Sequence, residues 1–156
     1  MNIYLSGAIA AGRQKIVVYQ KIAEIVNSLG HRITSPQVAD PKVTNDGKGE
    51  PTDPREIYLR DMKQLEDSEL MIAEVSIPSL GVGYEIATAI QQNKPVLCLY
   101  DLEDSPNRIS AIIAGHTSPL LTLHGYYNNE LADIICSWLS DKKKQVAHLP
   151  KMLIPE

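Results

Sequence analysis

Hydrophobic positions along the chain fall into short apolar runs and longer stretches of helical spacing. The apolar runs predict five strands, at residues 2–6, 31–34, 70–75, 96–100 and, less sharply, 120–123. Helical spacing between them predicts helices over residues 16–29, 53–65, 84–92 and 108–115, and a last one from 128 or 129 to about 144. Because strands alternate with helices, we expect an α/β fold: a doubly wound (flavodoxin/Rossmann-like) five-stranded parallel sheet with helices on both faces.

One domain accounts for this pattern. The chain has 156 residues, and we expect residues 1–145 to form a single domain, with 146–156 as a loosely held tail. The segment 35–52 has no periodicity and contains three prolines and two glycines, Pro36, Pro41, Pro51, Gly47 and Gly49. A loop of that length is typical of a lid, a binding loop or a partly disordered segment.

Two acidic residues stand out from the pattern. Glu85 follows the glycine-bearing block Pro78–Glu85 (PSLGVGYE), in what we expect to be the first turn of a helix, where the dipole favours a carboxylate. Asp61 lies four residues from both Ile57 and Leu65, within the apolar face of its helix, where an acid needs a partner or a function. Either acid could be merely structural. If both lie with Tyr4 at the carboxyl edge of the sheet, they supply the two carboxyl groups that cleavage of a glycosidic bond requires.

Other chemistry finds little support in the sequence. The loop from Gly7 to Arg13 is neither a Walker loop nor a dinucleotide fingerprint, although its backbone could approach a phosphate. The four histidines are scattered and no Cys/His cluster has zinc spacing, so we assign no metal. A net charge of −4 argues against nucleic-acid polymers as partners, and no apolar run is long enough to span a membrane. The two cysteines lie in apolar runs and are typical of buried free thiols, so we expect a cytoplasmic enzyme or binding module.

Three sequence blocks resemble a known family. Tyr4–Ile9 (YLSGAI), Arg60–Met62 and above all Pro78–Glu85 are similar to the 2′-deoxynucleoside 5′-monophosphate N-glycosidases (N-hydrolases) of the nucleoside 2-deoxyribosyltransferase superfamily. The resemblance extends to about Gly115 and weakens across residues 35–53 and in the tail. It implies hydrolysis of a deoxynucleoside monophosphate to free base and 2-deoxyribose 5-phosphate, through a covalent glycosyl-enzyme intermediate, in a homodimer without metal or cofactor.

The same resemblance implies roles for individual residues. Glu85 matches the nucleophile, Asp61 the acid that protonates the departing base, and Tyr4 a tyrosine that orients the nucleophile. We accordingly expect a low pKa for Glu85, near the helix dipole, and a raised pKa for Asp61. Ser79 matches a phosphate ligand, and Ser110 a serine that reaches the phosphate bound in the neighbouring subunit. The other residues expected to bind substrate are Gly7, Ile9, Arg13, Asp40, Gly81 and Gly83.

One departure from the family pattern concerns the phosphate. Ala10 stands where related enzymes have an arginine, so Arg13 or Arg108 would have to replace its charge. Three alternatives stay open. A nucleoside 2-deoxyribosyltransferase would hand the sugar to a second base, a CMP-type N-glycosidase would act on ribonucleoside monophosphates, and a non-catalytic nucleotide-binding module would use the same fold without turnover.

Overall fold

Five strands and five α-helices alternate along the computed structural model, which describes residues 1–104 and 109–147. The strands are β1 (Asn2–Ser6), β2 (Arg32–Ile33), β3 (Leu70–Glu74), β4 (Val96–Asp101) and β5 (Leu121–Tyr126). The helices are α1 (Ile16–Ser28), α2 (Pro54–Glu66), α3 (Leu80–Gln91), α4 (Ala111–Ala114) and α5 (Leu131–Ala147). A short 3₁₀ turn, Pro36–Val38, follows β2.

The strands form one parallel sheet in the order β2-β1-β3-β4-β5. This order confirms the predicted doubly wound α/β fold. The chain reverses its direction of growth between β1 and β3, which pair directly. At such a switch point the loops after the two strands part, and a crevice opens at the carboxyl edge of the sheet.

Both faces of the sheet are covered, because successive side chains of a buried strand point to opposite sides. Ile3 and Leu5 of β1 belong to the core cluster that α1 and α5 cover. Tyr4 of β1 belongs to the opposite cluster, with residues of α2 and α3. The near-continuous apolar composition of β3 and β4 follows from this double coverage.

Several boundaries differ from the sequence pattern. Helix α3 begins at Leu80, one turn earlier than expected, because Ser79 caps it through the N–H of Val82 and the buried Val82 packs in the core. Helix α4 begins only at Ala111, after Ser110, while the expected cap at Asn107 lies outside the described residues. Helix α5 continues to Ala147, so the expected tail is helical at its first two positions, and its remaining residues, 148–156, are also outside the described ranges.

Two further observations bear on the class of protein. No helix within residues 1–104 and 109–147 is both long and apolar enough to cross a membrane. Cys98 and Cys136 are free thiols, as expected, but only Cys98 is buried. Cys136 is exposed on α5, since it lies outside the face on which Ile135 and Leu139 pack.

Candidate active site

A cavity of about 310 Å³ lies at the carboxyl edge of the sheet, beside the switch point between β1 and β3. Its walls come from the loop after β1, the 44–51 loop, helix α2 and the start of α3. The lining residues are Gly7, Ile9, Ala10, Thr44, Asn45, Gly47, Glu50, Pro51, Ile57, Arg60, Asp61, Ser79, Gly81, Val82 and Glu85. Both predicted acids therefore face one cavity.

Glu85 is held by two hydroxyl groups from β1. The Tyr4 hydroxyl donates to Oε1 of Glu85 at 2.7 Å, and the Ser6 hydroxyl donates to Oε2 at 2.5 Å. Tyr4 and Ser6 are two residues apart on a strand, so both side chains lie on the α3 side of the sheet. Each carboxylate oxygen thus has its own neutral donor.

Burial, rather than the helix dipole, dominates the titration of Glu85. It raises the pKa of Glu85 to about 7, although the hydrogen bonds from Ser6 and Tyr4 oppose the shift. The nearby Asp61 raises this pKa further, and the Arg60 charge lowers it. The expected low pKa is therefore wrong. Because α3 begins at Leu80, Glu85 lies in the second turn, beyond the strongest part of the dipole, and its carboxylate is withdrawn from water.

Asp61 is held quite differently, by a cation and an amide. Its Oδ1 accepts from Nε of Arg60 at 2.8 Å and from Nε2 of Gln37 at 3.0 Å. Burial raises the pKa of Asp61, as expected, while the Arg60 contacts oppose the shift. Arg60 also binds Glu50 at 2.7 Å, so that one guanidinium lies between two acids of the cavity wall.

Six of the eight expected substrate-binding residues line the cavity or an adjoining groove. Gly7, Ile9, Gly81 and Ser79 line the cavity. Ser79, Gly83 and Ser110 line an adjoining apolar groove, which meets the cavity at Ser79 and Val82.

Arg13 and Asp40 do not line the cavity, and their part in substrate binding stays a prediction. The Arg13 guanidinium donates to the backbone carbonyls of Val38 and Asp40, each at 2.9 Å. The Asp40 carboxylate accepts from the backbone N–H of Lys42. The Arg13 guanidinium thus fixes the chain after β2. Arg108, the other basic candidate, lies outside the described residues.

The side chains that contact the two acids and their ion pairs were not among the expected site residues: Ser6, Gln37, Glu50 and Arg60. Ser6 could have been found, since a residue two positions from Tyr4 on a strand shares its face. Arg60 directly precedes Asp61, but a neighbour on a helix does not normally share its face. Gln37 and Glu50 lie in the aperiodic segment 35–52, where spacing carries no information about direction.

No group of three or more His, Cys, Asp or Glu side chains in the described part of the chain is arranged to hold a metal ion. The cavity wall carries three carboxyl groups, of which Glu50 and Asp61 share the Arg60 guanidinium and Glu85 is bound by hydroxyl groups. Fold and cavity together define a class, a doubly wound α/β protein with paired acids at its ligand-binding edge, equipped for glycosyl chemistry.

Comparison with known proteins gives the family. The model of the nucleoside 2-deoxyribosyltransferase family matches residues 3–133, and the chain belongs to that family. This match confirms the resemblance drawn from the sequence blocks.

Two similar proteins have names that specify a reaction. A Methanococcoides burtonii protein, provisionally named 2′-deoxynucleoside 5′-phosphate N-hydrolase 1, is 45% identical over 117 residues, covering 75% of this chain and 92% of its own. The 5-hydroxymethyl-dUMP N-hydrolase of Danio rerio is 37% identical over 136 residues, covering 86% and 93%.

A solved structure agrees on the fold. The CMP N-glycosidase BcmB of Clostridium botulinum superposes with a TM-score of 0.61 at 17% identity, covering 87% of this chain and 99% of its own. At that identity the likeness concerns the backbone architecture alone.

Proposed function

We propose that this protein is an N-glycosidase that hydrolyses 2′-deoxynucleoside 5′-monophosphates to free base and 2-deoxyribose 5-phosphate. The observation that carries the proposal is that Glu85 and Asp61 line one cavity of nucleotide size. The names of the similar N-hydrolases support the same reaction. The proposal includes no metal and no organic cofactor.

In the first step Glu85 is the nucleophile. A carboxylate oxygen of Glu85 forms a bond to C1′ as the bond from C1′ to the base nitrogen breaks. The electron pair of that bond leaves with the base, which takes a proton from the carboxyl group of Asp61. Tyr4, which donates to Oε1 of Glu85, keeps the carboxylate oriented toward the sugar.

In the second step a water molecule releases the sugar. Its oxygen attacks C1′, the bond between C1′ and the Glu85 oxygen breaks, and the electron pair returns to the carboxylate. The proton lost by the water goes to Asp61, which is thereby ready for another cycle. Two displacements at C1′ give a product that retains the configuration of the substrate.

The phosphate needs donors other than a free cation. Arg60 is the one basic residue among the described residues of the cavity wall, and it is already bound to Glu50 and Asp61. We assign the phosphate to the Ser79 hydroxyl and the first N–H groups of α3, since a helix N-terminus with free backbone donors favours an anion.

A homodimer would complete this phosphate site. The apolar groove beside the cavity carries two side chains that a monomer leaves in water, Leu80 at 96% exposure and Ile112 at 80%. Ser110 lies on the same groove, so a second copy seated there could bring its own Ser110 toward Ser79. We place the enzyme in the cytoplasm, where nucleotides of this kind occur.

Leu80→Glu tests the dimer. The new charge in an apolar contact should produce monomers in sedimentation analysis and raise KM for the monophosphate by about tenfold or more. Val17→Glu, at a position 70% exposed on α1, is the matched control and should change neither property. If Leu80→Glu sediments like the unmodified chain, the groove is not the dimer contact.

The reaction itself is tested with a substrate panel. Deoxynucleoside monophosphates, the corresponding nucleosides and ribonucleoside monophosphates are incubated with the protein, and released base is measured by chromatography. We expect release from deoxynucleoside monophosphates, with water as the acceptor even when a competing free base is added. A new nucleoside in that competition would indicate a transferase, and preferred cleavage of ribonucleotides a CMP-type enzyme. Binding without release from any member would contradict the enzymatic proposal.

A further inference from the structure

Ser6 ends β1 directly beneath the cavity. Its side chain has no solvent exposure, and it is not among the residues of the cavity wall. Its hydroxyl nevertheless lies 2.5 Å from Oε2 of Glu85. The residue beside it on β3 is the small, buried Ala73, and Glu85 reaches the strand on this side of the sheet.

We propose that Ser6 is a positioning residue for Glu85, which fixes the plane of the carboxylate and keeps its second oxygen hydrogen-bonded through the reaction. The inference rests on the proposed function only in naming Glu85 as the nucleophile. Ser6 itself would not touch the substrate, because the Glu85 carboxylate lies between its hydroxyl and the cavity.

The argument begins with the torsion that turns a glutamate carboxylate. This last torsion is broad and roughly two-fold, so one hydrogen bond leaves the plane of the carboxylate poorly defined. In this structure Tyr4 holds Oε1 and Ser6 holds Oε2, so the plane is fixed at two points. A fixed plane aims one lone pair at C1′, as a near-attack geometry requires.

The second part of the argument concerns charge. A hydroxyl binds an ionised carboxylate oxygen more strongly than an ester oxygen. The Ser6 bond should therefore help Glu85 to leave as a carboxylate when water attacks the intermediate. In the free enzyme it should favour the ionised form of Glu85, against the effect of burial.

The groups around Glu85 come from three elements. Tyr4 on β1 donates to it, Asp61 on α2 faces it across the cavity, and the Arg60 charge is shared with Glu50 of the 44–51 loop. Removing Ser6 alone leaves all of these in place. The Ser6→Ala variant therefore isolates one neutral donor.

The first experiment does not depend on turnover. Glu85 is followed by ¹³C NMR of its carboxyl carbon during a pH titration of the unmodified protein and of Ser6→Ala. We expect the midpoint to rise by about one pH unit or more, because a hydrogen bond to a charged group is lost. Ser68→Ala removes another buried hydroxyl, which binds the carbonyl of Leu65 far from the cavity, and should leave the midpoint unchanged.

The second experiment uses activity. The acid limb of kcat/KM in Ser6→Ala should move in the same direction, and kcat on the alkaline plateau should fall by about tenfold while KM stays within about twofold. An unchanged Glu85 titration in Ser6→Ala, or an equal shift in Ser68→Ala, would overturn the inference. Failure of the unmodified protein to release any base would instead contradict the proposed function, and the NMR result would still decide the role of Ser6.

Discussion

The two walls of the cavity hold their carboxyl groups by opposite means. On the strand side, Glu85 is half-buried, and its hydrogen bonds from the described residues come from the neutral hydroxyls of Tyr4 and Ser6. On the helix α2 side, Asp61 is bound by the Arg60 guanidinium and the Gln37 amide. The carboxyl group on the strand side is thus bound by neutral donors, whereas on the α2 side Asp61 and Glu50 share one guanidinium.

This difference suggests how the work is divided. An oriented carboxylate that accepts hydrogen bonds from neutral hydroxyls is a good nucleophile once it is ionised. A carboxyl group beside a guanidinium is fixed in position, and burial raises its pKa toward the range useful for proton transfer. The roles proposed for Glu85 and Asp61 are compatible with these surroundings. The two acids can be tested separately.

The largest effect is expected from Glu85→Gln. The substitution keeps the shape of the side chain and removes the nucleophile, so base release should fall by about 10⁴-fold or more. Initial rates with a deoxynucleoside monophosphate measure the loss. Glu66→Gln, the same change at an exposed position of α2, should retain full activity. If Glu85→Gln kept more than a tenth of the original rate, Glu85 would not be the nucleophile.

Asp61→Asn should cost about 10² to 10³-fold in kcat, with KM little changed, because the departing base loses its proton donor. An N7-methylated purine base is already positively charged and can leave without protonation. The variant should therefore lose much less of its rate on a substrate that carries this base. Asp67→Asn, at an exposed position, is the control. Equal losses on both substrates would mean that Asp61 has no part in proton transfer.

The strand wall should also make stability depend on pH. Between its ordinary value of 4.5 and about 7, Glu85 binds its proton more tightly in the folded than in the unfolded chain. Its contribution to the free energy of unfolding is therefore fully present below this window. That contribution, about 3 kcal/mol, is lost as pH rises through the window. Between pH 4.5 and 8, the melting temperature of the unmodified protein should fall more steeply than that of Glu85→Gln. Parallel curves would contradict the raised pKa of Glu85.

How much of this site follows from the sequence alone can be judged from particular residues. Apolar periodicity predicts the parallel sheet, which the structure confirms. Glu85, Asp61 and Ser79 line one cavity at its carboxyl edge, and their roles stay predictions. The pKa of Glu85 was predicted in the wrong direction. An error of one turn in the start of α3 changes both the burial of Glu85 and its distance from the positive end of the helix dipole. Spacing also does not reveal that the Arg13 guanidinium binds backbone carbonyls.

The smallest effect concerns the ion pairs of the α2 wall. Arg60→Met should destabilise the fold by about 2 kcal/mol, because Glu50, whose side chain is only 7% exposed, loses its cation. The double variant Arg60→Met, Glu50→Gln should regain at least half of that loss. Denaturant unfolding measures both. If the double variant is no more stable than the single one, Glu50 and Arg60 are not coupled.

The central claim is that Glu85 bonds covalently to C1′ of the sugar. Rapid acid quenching during turnover, followed by proteolysis and mass spectrometry, tests it most directly. The account predicts a 2-deoxyribose 5-phosphate adduct on the peptide that contains Glu85, absent from Glu85→Gln. An adduct on any other residue, or quantitative turnover with no adduct at any quench time and with inverted configuration at C1′, would contradict it.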